Sequence, residues 1–142
     1  MVGCLVSRLA AVADPQVDED ELIERIRERS GAAKAMAARW REYALHNRML
    51  GKRERRKGDL FAAALLEYRA DVRDQAAGLL LSQSPGDAAA EMMLRAAQHV
   101  VRTPPLIDYD AAAISYTIAR SWQWCAQQID PTLSEVQPRW DG

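Results

Sequence analysis

The stretch AAKAMAARWREYALHNRMLGKRERRKGDLFAAALLEYRADVRDQAAGLLLS, residues 32–82, decides how this chain folds. Ala33, Met36, Trp40, Tyr43, Ala44 and Leu50 recur at helical spacing and leave Arg39, Glu42, His46 and Met49 on the other side, the pattern of an amphipathic helix. A second such pattern follows, with Phe61, Leu65, Tyr68, Val72, Ala76 and Leu79 on one face and Glu67, Asp71 and Asp74 opposite. Between them Gly51–Asp59 reads in two ways: a loop with Asp59 capping the next helix, or a polar stretch of one continuous helix. At about 100° per residue from Met36, Phe61 falls near about 340° and Val72 near about 0°, so the two apolar faces stay in register through the gap. Two glycines at roughly 1 kcal/mol each in a helix interior tilt the balance slightly to a break.

Working outward, Asp14-Pro15 is a break, and Asp18 followed by Glu21 forms a capping box for a helix with a Leu22/Ile23/Ile26 stripe, which Ser30-Gly31 is expected to stop. Ser84-Pro85-Gly86-Asp87 has the signature of another helix start. In that helix Met93, Ala96, Ala97 and Val100 face inward and Glu91, Arg95, Gln98 and Arg102 face water, until Thr103-Pro104-Pro105 ends it. A last helix runs from Asp108 or Asp110 to Ile129, with Ala111, Ile114, Ile118, Trp122, Cys125 and Ile129 as its core face. Trp124 and Tyr116 lie on other sides, so this helix is either central or meets a partner.

Composition agrees with helices. The 142 residues include 25 alanines, against 17 Val, Ile and Thr together, which disfavours an all-β fold. No apolar run reaches the length of a membrane span. The expected fold is all-α, a bundle of four to five helices, with one long bent helix over about 32–82 as the continuous alternative. The expected layout is an N-terminal docking segment over 1–17, a single helical domain over 18–130 and an extended tail over 131–142.

The net charge of −1 conceals an uneven layout: −5 over residues 1–24, +9 over 25–57 and −5 over 58–142. The positive middle either attracts an anionic partner or is neutralised internally, with the acids of 14–24 as possible counterparts. Its densest part, Arg48, Lys52, Arg53, Arg55, Arg56 and Lys57, could lie along nucleic-acid phosphates, a contact that needs charge and little else.

Little points to catalysis. His46 and His99 are the only histidines; His99 has no acid or thiol at helical spacing, and His46 has only Glu42, four residues back among arginines on the polar face. Glu67, Asp71 and Asp74 share a face without an accompanying Glu-x-x-His pair, and with Arg69 and Arg73 between them they read as a charged exterior, so no metal or other cofactor is expected. Cys4 and Cys125 have no CxxC spacing; they fit a reducing, intracellular compartment such as the cytoplasm, with Cys125 a buried structural thiol. The first thirteen residues lack acids, but Arg8 interrupts their apolar run, so a docking helix displaces a secretory signal, and an organelle presequence stays the lesser alternative.

The strongest functional signal is apolar surface. Leu5, Leu9, Tyr116, Trp124 and Trp140 are more large apolar groups than one packing stripe hides, and such patches mark partner sites. The sequence therefore reads as a non-catalytic interaction protein, an accessory or structural subunit that binds a protein partner or further copies of itself. The alternative is a nucleic-acid-binding or regulatory protein using residues 48–57.

Overall fold

In the computed structural model, which describes residues 19–102 and 109–133, four α-helices and no strands are found among the described residues. They are α1 (Glu19–Arg56), α2 (Leu60–Ser82), α3 (Pro85–Arg102) and α4 (Tyr109–Ile129). The chain divides into two compact units, Met1–Ala32 and Ala33–Gly142. None of the described helices is long and apolar enough to cross a membrane.

Helix α1 carries Glu19, Asp20 and Glu21 in its first turn and Arg53, Arg55 and Arg56 in its last, the order the helix dipole favours. It passes straight through Ser30-Gly31, where the sequence predicts a stop. The reason is local: a glycine costs about 1 kcal/mol, and Ala32-Ala33-Lys34-Ala35 beyond it are strong helix formers with nothing to cap a new start. In the first unit the described helical residues are held by exposed pairs, Arg25 to Glu21 at 2.7 Å and Arg27 to Glu24 at 3.9 Å. Leu22 is half-buried there and Ile23 exposed.

The contrast at Gly58 is instructive. This glycine has φ +85°, the left-handed region that a side chain resists. Gly58 N–H donates to Arg55 O and Asp59 N–H to Glu54 O, which together form a Schellman motif closing α1. Asp59 then starts α2, its side chain accepting from Ala62 N–H at 3.0 Å. The polar stretch 51–58 is thus helix up to Arg56, then a break of three residues.

Within the second unit, α1 buries Ala37, Trp40, Ala44, Asn47 and Gly51, a three-four spacing that forms one narrow stripe. Helix α2 answers with Ala63, Ala70 and Ala77, seven residues apart and fully buried. Small side chains on both helices let the backbones come close: a Cβ on Gly51 would lie 3.5 Å from the Ala63 carbonyl oxygen and 3.7 Å from Leu66 Cβ. The predicted α2 face is only half right. Val72 and Ala76 are buried, but Phe61 and Tyr68 are exposed, because α2 packs on more than one side and its core face is rotated toward the alanines.

Helix α3 begins as its sequence predicts, Asp87 N–H donating to Ser84 Oγ at 3.3 Å. It buries Ala88, Ala89, Met92 and Ala96, and packs most extensively along α4. Helix α4 also packs along α2 and is the centre of this unit: Ala119, Ser121, Trp122, Gln123, Cys125 and Ala126 are all buried, over more than half of the helix circumference. Ala111, expected in its core face, is exposed. After Ile129 the chain turns, with Asp130 accepting from Thr132 N–H at 3.0 Å and from Thr132 Oγ1 at 2.6 Å, and Leu133 packs back against the core.

Candidate interaction site

The structure separates the cations of residues 39–57 into two sets. Arg48 reaches across to α2, donating to Asp74 at 2.6 Å and Asp71 at 3.0 Å, and these hydrogen bonds raise its already high pKa. Arg55 forks onto both carboxylate oxygens of Glu67 at 2.7 Å. Lys57 pairs with Glu54 at 3.4 Å. Glu67, Asp71 and Asp74 are therefore not a plain charged exterior, as the sequence suggests, but the α2 half of an interhelical ladder. They are also the acids that neutralise part of the basic segment. Among the described residues no cluster of acids, histidines or cysteines could hold a metal ion.

The other set points outward. Arg39, Arg41, Lys52, Arg53 and Arg56 are exposed on α1 and make no ion pair among the described residues. At about 100° per residue they surround Leu45 and Met49, which lie opposite the buried Trp40–Ala44–Asn47 stripe. Leu45 is 62% exposed and Met49 59%, among the highest values for large apolar side chains of the described residues. Glu42 is the one acid on this face. Met49 lies on the polar side of the helix in the sequence pattern, and the one signal there of an apolar pair is the i, i+4 spacing of Leu45 to it.

The residues singled out as partner contacts fall in different places. Leu5, Leu9 and Trp140 lie outside the described residues, as does Cys4. Tyr116 is 42% exposed on α4. Trp124 is half-buried and engaged internally: its ring lies 6.5 Å from that of Trp40 and 6.1 Å, edge-on, from that of Tyr43, with the Arg73 guanidinium 4.9 Å above it. Burial lowers the pKa of Arg73, which makes no ion pair among the described residues. Beneath this cluster Cys125 is fully buried and its thiol is pushed up to about 12 by burial, so it is an un-ionised packing group at neutral pH.

His46 is exposed on α1. His99 lines a small cleft where α2, α3 and α4 meet, together with Gln75, Arg95, Gln98 and Trp122. Arg95, expected to face water, is instead half-buried, bonded to Glu91 at 3.1 Å, with its guanidinium carbon 5.0 Å over the Trp122 ring.

In comparisons with known proteins the chain matches no family, no curated protein and no solved structure.

Proposed function

We propose that this protein is a non-catalytic helical interaction protein, an accessory or structural subunit of a larger assembly, and that it docks through the outward face of α1. The observation that carries this reading is the pair Leu45 and Met49, exposed at i, i+4 in the middle of five outward cations. Burying a side chain of this size contributes roughly 1.5–3 kcal/mol, so two adjacent anchors suit a helix-in-groove or helix-on-helix contact. The cations select the partner: an amphipathic helix with acidic flanks. They speak less for nucleic acid, because a phosphate backbone has nothing to offer two large apolar groups at the centre of the footprint.

The test is a photoreactive benzoylphenylalanine at position 45, introduced into the full chain in the cells it comes from, with Gln128 as an exposed control position on α4. The expected result is one protein adduct at position 45 only, whose crosslinked peptide is acidic and apolar at helical spacing, and which disappears with Met49→Lys. A nucleic-acid adduct would replace this reading with the phosphate-binding one. Equal labelling at both positions, or an adduct indifferent to Met49→Lys, would overturn it.

A further inference from the structure

The cleft between α2, α3 and α4 is assembled unlike the rest of the surface. Its volume is about 240 Å³, and its walls are two amides, one imidazole, one guanidinium and one indole: Gln75 from α2, Arg95, Gln98 and His99 from α3, and Trp122 from α4. Among the described residues no carboxylate lines it. Three helices contribute, so the polar groups converge from different elements and are not a single solvated helix face.

Among the described residues Arg95 is the only permanent charge in the lining, and it is held in place twice. Glu91 accepts from its Nε at 3.1 Å, one turn back along α3, and the guanidinium carbon lies 5.0 Å over the centre of the Trp122 ring. Trp122 is itself only 3% exposed. With Nε given to Glu91, the outer nitrogens of the guanidinium are the groups left for a ligand. That edge is the one that matches the paired oxygens of a carboxylate or phosphate. The glutamine amides add neutral donors around it, and neutral donors stabilise an anion without competing for it.

From this geometry we infer that the cleft is a binding site for a small oxyanion, a phosphate or carboxylate group carrying no more than a short body. The volume sets the size limit, since it is below the range typical of sites for drug-sized ligands. Glu91 sets the strength. Its carboxylate cancels part of the Arg95 charge, so the expected affinity is weak, about millimolar. This site is independent of the docking face on α1 and stands whether or not that face binds a partner.

The experiment is a titration of the full chain followed by calorimetry and tryptophan fluorescence, with inorganic phosphate in one arm and succinate in the other, chloride holding ionic strength constant. Saturable one-site binding is expected, tighter for phosphate if the natural ligand is a phosphoryl compound and tighter for succinate if it is a carboxylate. Arg95→Gln should weaken it by roughly tenfold or more, and Arg95→Lys, which keeps the charge but loses the fork, by several-fold. Lys34→Gln, a surface charge on α1, should leave it unchanged. Because Arg95→Gln could loosen Trp122, Gln98→Leu supplies a second variant: a several-fold loss with unchanged circular dichroism supports the site. Absence of saturation by either anion, undiminished binding in Arg95→Gln and Gln98→Leu, or an equal loss in Lys34→Gln would overturn it.

Discussion

The seam between α1 and α2 and the packing around α4 are held by different physics. At the seam the buried groups are small, Ala44, Gly51, Ala63 and Ala70, and the ties are ionic, Arg48 to Asp71 and Asp74 and Arg55 to Glu67. The Asn47 side chain is buried there with its amide nitrogen unpartnered among the described residues. Around α4 large side chains are buried among the alanines: Trp40, Met92 and Trp122, with Leu80, Val72 and Cys125 beside them. Apolar burial of that kind contributes most of a fold's stability, whereas exposed ion pairs contribute about 0–1 kcal/mol each. The seam therefore acts mainly to fix how α1 and α2 align, and the α4 packing supplies the stability. A chain built this way can spend the outward face of α1 on a partner without drawing on its core.

The largest effect should come from the α4 side. Trp40→Ala removes a side chain that is 1% exposed and tilted against Trp124, and is expected to cost about 3–5 kcal/mol in urea unfolding. At the seam the comparison sharpens at Gly51. A Cβ there would meet Glu67 Cγ at 3.4 Å and no atom closer, so Gly51→Ala should stabilise by up to about 1 kcal/mol through helix propensity. Gly51→Leu has no room beyond that Cβ and should cost about 1–3 kcal/mol by prising the helices apart, read from the same unfolding curves. Arg48→Ala comes next. Its two acid partners are partly solvated, which screens the pairs, and a loss of about 1 kcal/mol is expected, shrinking in high salt.

The smallest effect concerns the turn after α4. Hydrogen bonds from the Thr132 side chain and backbone hold the Asp130 carboxyl below the usual carboxylate range. A depressed folded pKa stabilises the turn above the unfolded value near about 3.9 and loses that contribution as pH falls through the folded value. The Thr132 amide resonance should therefore stay constant from neutral pH down to the ordinary carboxylate range and shift only below it.

Helix existence was legible from the sequence because alanine-rich amphipathic runs leave few alternatives, and the caps at Asp59 and Ser84 were legible because short polar side chains there have one obvious use. The run through Gly31 was not, since a glycine halts a helix only where the following residues offer a cap, as at Gly58-Asp59. The charge ladder was hidden for a different reason. Periodicity shows that Glu67, Asp71 and Asp74 share a face, but not that α1 would cover it, because pairing between helices is a tertiary fact. The same limit applies to the cleft: Gln75, Arg95, His99 and Trp122 lie on three helices and have no spacing in common.

The central claim is that the basic segment serves the fold with one set of cations and a partner with the other. It is tested most directly by two charge-removing variants of the full chain carrying the crosslinker at position 45, compared for unfolding midpoint and adduct yield. Replacing Arg48 and Arg55 by Gln should lower the midpoint, and replacing Lys52, Arg53 and Arg56 by Gln should leave the midpoint in place while the adduct is lost. If the outward triple variant lowers the midpoint as much as the inward pair, or leaves the adduct yield unchanged, the division of labour is contradicted.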